Sequence, residues 1–376
     1  MNLGNFIKFQ KKCENALTCG RLCSKLFSCY FETERSTMAV TIKDVAALAG
    51  VSTSTVSRVC NGNTATTRET RERVLKAIAQ LGYEVNTTSE ATIQPGTNVA
   101  VILPPADQNA YENVFYLKAI RGISQVCNQR NATTTIVTGS SFEELLQAVQ
   151  TLHQSKRVDG YIILYARKND IVVDYLCSQG LVYVVVGKVE ELSSQTICID
   201  NDNLVAGKDA TEYLIQLGHR RIGCISEKND YYYSVDRRSG YQLALIQNGL
   251  TLDPAYSVQL ESVHPEDMGV LHQLLKREDR PTAFVVCDDI LALAMERACA
   301  QCGLAIPGDV SIIAFNNSLY ARLSVPELTS VNINAYQLGY EAAVQAINHV
   351  ENPDLAAVKT VVPHRILEGD TCRRIG

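Results

Sequence analysis

The chain has 376 residues, 46% of them apolar, enough for two or three folded units. A formal net charge of −5 excludes binding of polyanions through bulk charge, and no apolar run approaches the roughly 18 residues of a membrane span. Thirteen cysteines and six histidines are scattered without paired metal-ligand spacing, so composition argues against a zinc scaffold, and free thiols fit a reducing cytosol.

Residues 1–37 hold Cys13, Cys19, Cys23 and Cys29 together with Lys8, Lys11 and Lys12, and Met38 follows. Their apolar stretches are too short for a signal peptide. The cysteine spacings match no standard zinc set. The segment reads as a disordered extension or as an upstream reading of the start codon, with Met38 the initiator.

Residues 38–83 read as three helices. Ile42, Val45, Ala46 and Ala49 recur at helical spacing, and Gly50 follows where a helix end needs positive φ. Ser52 is placed to cap the next helix. On that helix Val56, Val59 and Cys60 face inward, leaving Thr53, Ser54, Ser57 and Arg58 outside. A helix surfaced with short hydroxyls and one arginine is shaped to enter a DNA major groove. A hairpin that merely packs accounts for the apolar positions but not for this polar face. Thr67 opens a third helix whose inner face is expected to be Val74, Leu75, Ile78 and Leu81. Residues 38–94 carry six Lys or Arg against five acids, so affinity for DNA has to come from local placement of Lys43, Arg58, Arg68, Arg71 and Arg73.

The string Thr41-Ile42-x-Asp44-Val45-Ala46-x-x-Ala49-Gly50-Val51-Ser52-x-x-Thr55-Val56-Ser57-Arg58-Val59-x-Asn61 resembles the headpiece signature of the lactose-repressor (LacI/GalR) family. The resemblance implies a helix-turn-helix DNA-binding domain in which Thr53, Ser54, Ser57, Arg58 and Asn61 face DNA, with Arg58 the strongest base reader. It also implies a homodimer on a pseudo-palindromic double-stranded operator, since one headpiece reads half a site. No cofactor, metal or membrane is implied, and the expected location is the bacterial cytoplasm, at the nucleoid.

Residues 84–97 lack apolar periodicity and contain Pro95-Gly96, which marks a linker. In the family this stretch is a hinge helix whose leucine enters the minor groove. Here Val85, Glu90 and Thr92 stand where the family has Pro, Arg and Leu, leaving Thr92 and Ile93 as minor-groove candidates.

From residue 98 onward, β-branched runs at 99–104, 133–139, 159–165, 182–188, 221–226, 282–288 and 311–316 alternate with helical stretches at 115–130, 142–155, 203–217, 236–249 and 289–302. That alternation predicts parallel sheets covered on both faces. The expected fold is therefore an all-α helix-turn-helix headpiece followed by an α/β core, residues 98–376. The core holds two doubly wound parallel-sheet subdomains resembling a periplasmic sugar-binding protein. Subdomain one is placed at about 98–200 and 333–351, and subdomain two at about 203–330 and 356–371.

Ligands of such sheets bind beyond the carboxyl ends of the strands. Three places qualify: the 236–241 segment, Asp288-Asp289 and Asn316-Asn317-Ser318. A guanidinium, a carboxylate and amides suit a polyhydroxylated ligand, and Phe115, Tyr116 and Tyr231–Tyr233 offer flat faces. An Arg–Asp pair can equally be a salt bridge, and aromatics after a strand can equally be core. The family resemblance assigns the effector-contacting arginine to Arg237 and the effector aspartate to Asp289, with Asp288 where Asn is usual. Asn316 replaces the aspartate of the family's Gly-Phe-Asp motif. The 111–116 and 157–170 segments look most like the maltose-regulator branch, which implies maltose or another α-glucoside as effector.

Together these features imply a sugar-controlled transcriptional regulator, most simply a repressor of carbohydrate-utilisation genes. Its alternatives are a catabolite-control regulator answering to a phosphorylated partner protein, and a sugar receptor with no role on DNA. No Ser–His–acid pattern, phosphate-cradling glycine loop or metal cluster suggests an enzyme.

Overall fold

The computed structural model describes residues 41–60, 66–81, 96–105, 113–190, 194–227, 231–260, 263–264 and 268–376. Residues 1–37, Asn61, Thr92 and Ile93 lie outside them. The chain divides into two compact units, Met1–Gln94 and Pro95–Gly376.

In the first unit, α1 (Ile42–Ala49), α2 (Thr53–Cys60) and α3 (Arg68–Leu81) enclose one small core of Val45, Ala46, Ala49, Val56, Val59, Val74 and Ala77. The Asp44 carboxylate accepts from both the backbone N–H and the hydroxyl of Thr41, at 2.8 and 2.7 Å, which fixes the start of α1 and lowers the Asp44 pKa. Gly50 ends α1 at φ 64°, and its N–H bonds back to Ala46 and Ala47. The Ser52 hydroxyl accepts from the Thr55 N–H, as a cap does. On α3 the structure corrects one expectation: Leu75 is 51% exposed, and the inner position belongs to Ala77. Val74, Ala77, Ile78 and Leu81 follow one helical stripe, and Leu75 falls about 100° away from Val74.

The second unit holds two six-stranded sheets. The first contains β1 (Asn98–Ile102), β2 (Thr133–Val137), β3 (Gly160–Ile163), β4 (Tyr183–Val186), β5 (Ile197–Asp200) and β11 (Lys359–Val361), in the order β11-β5-β4-β3-β1-β2. The second contains β6 (Ile222–Glu227), β7 (Ser257–Leu260), β8 (Ala283–Val286), β9 (Ser311–Phe315), β10 (Thr329–Asn332) and β12 (Arg365–Leu367), in the order β12-β10-β9-β8-β6-β7. All pairings are parallel except β10 with β12. The inner strands are buried from end to end, as expected when helices cover both faces.

Around the first sheet lie α4 (Val114–Gln129), α5 (Phe142–Gln154), α6 (Ile171–Ser178) and α12 (Ala335–Glu351). Around the second lie α7 (Asn203–Gln216), α8 (Tyr232–Gln247), α9 (Gly269–Leu275), α10 (Asp289–Gln301) and α11 (Leu319–Leu323). The chain crosses between subdomains after β5, after β10 and after β11. The third crossing corrects the expected boundary: residues 359–361 pair with β5 of the first sheet, so 356–361 belong to subdomain one. This strand is short and half-exposed, and so carries little of a buried strand's apolar signal.

Cys299 is buried in the core of subdomain two, and Cys302 packs against that core. Histidines 153, 219, 272, 349 and 364 each bond a nearby tyrosine, threonine, glutamine, aspartate or backbone carbonyl, which are structural uses. Among the described residues no helix is long and apolar enough to cross a membrane.

Candidate functional site

On the headpiece, Thr53, Ser54 and Arg58 stand exposed on one side of α2 and Ser57 is half-buried, opposite the buried Val56 and Val59. Ser54 shares its hydroxyl with Ser52 at 2.8 Å, so it is partly occupied at the helix start. Thr53 and Arg58 present a methyl-bearing hydroxyl and a guanidinium fork on that exposed side.

In the core, a cleft between the subdomains holds about 570 Å³ of atom-free space, part of it continuous with solvent. Strand ends supply Leu164, Val186, Gly187, Asp200 and Asn316, and helix starts supply Phe115, Tyr116, Asn203, Tyr233 and Arg237. This is the place beyond the carboxyl strand ends where open α/β sheets bind ligands.

Arg237 lines this cleft. It is 3% exposed; its Nε donates to Asn203 Oδ1 at 2.9 Å and its Nη1 to the Cys287 carbonyl at 2.7 Å. The guanidinium stacks over Phe315 at 4.3 Å and Tyr233 at 5.0 Å. Burial pulls its pKa down, yet a guanidinium stays charged. The fork is thus locked in place by neutral acceptors and aromatic faces. Close packing of α7 on α8 sets this geometry: a Cβ at Gly207 would strike the backbone of Arg237, and one at Gly240 the backbone of Leu204.

Two carboxylates face the same space. Burial raises Asp200 to about 6, opposed by a backbone hydrogen bond from Asn201, and Asp200 Oδ1 accepts from Asn203 Nδ2 at 3.1 Å. Burial raises Asp288 to about 7, with the nearby Glu227 and Asp289 charges adding to it. Asp288 Oδ1 accepts from the Ile290 N–H at 2.8 Å, capping α10, while Oδ2 accepts from Asn316 Nδ2 at 2.6 Å and Asn113 Nδ2 at 3.1 Å.

Of the residues singled out in the sequence, the structure brings Phe115, Tyr116, Arg237 and Asn316 to the cleft. Phe115 and Tyr116 meet edge to face at 5.2 Å, and burial raises the Tyr116 pKa well above its ordinary value. Asp289 is not among the lining residues and is corrected to its neighbour. As the first residue inside α10 it turns toward the sheet, accepting from the Ser318 N–H at 2.6 Å and the Ser330 hydroxyl at 3.3 Å, while Asp288 at the cap position faces the cleft. In the tyrosine run only Tyr233 lines the space; Tyr231 and Tyr232 pack into the core of subdomain one. Asn113, Asp200 and Asn203 were not singled out as cleft residues. Each sits at a strand end or helix start, the one positional signal that could have marked them. Among the described residues no cluster of three or more His, Cys, Asp or Glu could hold a metal.

The profile described as "Bacterial regulatory proteins, lacI family" matches residues 41–86, and "Periplasmic binding protein-like domain" matches 211–372. The chain is 34% identical over 337 residues to the HTH-type transcriptional regulator MalR of Streptococcus pneumoniae, covering 88% of this chain and 100% of the relative. It is 32% identical to MalR of Staphylococcus xylosus over 89% of this chain and 99% of the relative. Among solved structures it resembles a complex of the transcriptional regulator CelR with cellobiose, at 28% identity and a TM-score of 0.68, covering 88% of this chain and 99% of that one. A headpiece with an exposed polar helix, a two-sheet core and relatives matched along their whole length converge: the chain belongs to the lacI family of bacterial regulatory proteins and is a DNA-binding transcriptional regulator, not an enzyme.

Proposed function

We propose that the protein represses carbohydrate-utilisation genes as a homodimer on a pseudo-palindromic operator, and that an unmodified sugar in the core cleft modulates its grip on DNA. The carrying observation is Arg237: a buried guanidinium held by Asn203 and Cys287, set over the rings of Phe315 and Tyr233, in a cleft lined by carboxylate and amide acceptors. Such a fork donates to neighbouring hydroxyls, the carboxylates and amides accept from them, and Phe115 and Tyr116 offer faces to sugar C–H groups. The identity to MalR regulators, and the CelR neighbour whose ligand is cellobiose, favour a glucoside; we take maltose or another α-glucoside as the effector. Effector binding shifts operator affinity only through its different affinities for open and closed cores. On the headpiece, Thr53, Ser54, Ser57 and Arg58 are assigned to the major groove, with Asn61 beside them and Thr92 or Ile93 at the minor groove. This role places the protein in the bacterial cytoplasm, at the nucleoid.

Thermal-shift titration of the full chain with maltose, cellobiose, ribose and a purine base tests the effector. Stabilisation by maltose is expected, and stabilisation only by the pentose or the purine overturns the assignment. Arg58→Ala, measured by operator gel shift, is expected to lose selectivity worth about 1–3 kcal/mol while keeping the thermal shift. Unchanged selectivity would remove Arg58 from the base-reading set.

A further inference from the structure

We infer that Asp288 is a positioning residue that latches the cleft, tying the two subdomains together through Asn113 and Asn316. This rests on the cleft being the effector site, but not on which effector fills it.

The hydrogen-bond polarity leaves little freedom. Asn113 caps α4 by accepting from the Phe115 N–H through Oδ1 at 3.0 Å, so the atom it presents to residue 288 is the donor Nδ2. Asp288 spends Oδ1 on the Ile290 N–H, so Oδ2 is the atom left for the cleft. Oδ2 then receives Asn113 from subdomain one and Asn316 from subdomain two. Asn316 is held at φ 86°, and the next residue, Asn317, accepts at its carbonyl from Lys118 of α4 at 2.7 Å. Two adjacent ties therefore cross the cleft at the start of α4. Asn317 is itself fixed, its N–H donating to the Ser330 hydroxyl at 3.0 Å.

An asparagine at 288 cannot make this latch. If its carbonyl keeps the Ile290 cap, its NH₂ meets the NH₂ of Asn113, donor against donor; Asn316 can turn its amide to accept, but Asn113 cannot without giving up the Phe115 cap. If it flips, the cap is lost. Asp288→Asn is thus an isosteric change that opens the latch, and the cost of facing a buried donor with a donor is large enough to shift an open–closed balance.

Hydrogen exchange on the full-length, ligand-free protein reads this directly. In Asp288→Asn, amides of residues 114–120 in subdomain one and 316–320 in subdomain two are expected to exchange about tenfold faster, with 142–154 unchanged. Asn113→Asp at pH 8, which keeps the Phe115 cap but sets two carboxylates together, is expected to loosen the same two segments. Faster exchange confined to residues 288–292, or no change across the cleft in either variant, would reduce Asp288 to a helix cap and overturn the latch. Because no sugar is added, failure of every sugar in the thermal-shift titration would overturn the effector assignment and leave this result standing.

Discussion

At Asp200, burial works against the charged form of a carboxylate that lines the cleft. Its pKa is raised to about 6, so between about pH 4 and 6 the folded chain keeps a proton that the unfolded chain has released. Its contribution to stability is therefore greatest at the acid end and falls as pH rises through that window. Asp200→Asn carries no charge to desolvate. Its melting temperature relative to the parent protein is expected to climb from about pH 4 to 6 and level off above, on the order of 2 kcal/mol at the plateau. Burial lowers the pKa of His219, which contributes a slope of opposite sign, but that slope is common to both proteins and cancels in the difference. A difference independent of pH, measured by scanning fluorimetry, would mean that Asp200 is not desolvated as the fold implies. The same residue shows where sequence reading stops. Arg237 was legible because a family motif surrounds it, whereas Asp200 sits at the end of ICID, four residues with no motif. For the Asp288–Asp289 pair the resemblance pointed to Asp289, whereas cap geometry, which residue type does not reveal, turns Asp288 toward the cleft.

At the scale of elements, long apolar runs and the helices between them were readable, because strands buried on both faces leave an unbroken β-branched stretch. β5, β7, β10, β11 and β12 were not: β5 is only the four residues ICID, and polar residues interrupt the other four, three of which are edge strands. α8 begins at Tyr232, four residues before its expected start, because Tyr231 and Tyr232 anchor it in the other subdomain and the Tyr232 N–H bonds to the Ala166 carbonyl. What no propensity reveals is the close crossing of α7 and α8 at Gly207 and Gly240. Gly207→Ala would place a methyl against the Arg237 backbone, and a backbone contact cannot yield as a side chain can. The helices must part, moving the guanidinium away from Asn203. We expect a loss of about 1–3 kcal/mol in stability together with at least about a tenfold loss in sugar response, although residue 207 does not line the cleft. Thermal unfolding and sugar titration of the same sample check this; a stability loss with unchanged sugar affinity would show that the crossing does not position Arg237.

Over the whole core, the two subdomains are joined at three crossings, and one side chain holds all three. Asn201 lies on the first, and its Nδ2 donates to the Ile333 carbonyl on the second at 2.8 Å and the Val362 carbonyl on the third at 2.9 Å. The Val362 N–H returns a bond to the Asp200 carbonyl at 2.8 Å, closing the knot. Parallel crossovers alone would leave three strands of chain free to bend separately. Stapled together, they are placed to bend as one hinge, the arrangement a proposed effector would need to move the subdomains as rigid bodies. Asn201→Ala leaves two carbonyls without their donor, at a cost of about 2–4 kcal/mol. The headpiece is not touched, so operator affinity without sugar is expected to stay within about threefold of the parent; Asn201 itself lines the cleft, so some loss of sugar affinity is expected and the coupling is read at saturating sugar. The factor by which sugar changes operator affinity is what should collapse, because coupling is a property of the connection and not of either site. Measuring operator binding with and without saturating sugar separates the two: an intact coupling factor in a destabilised Asn201→Ala protein would show that the crossings transmit nothing and that the effect travels through the cleft walls instead.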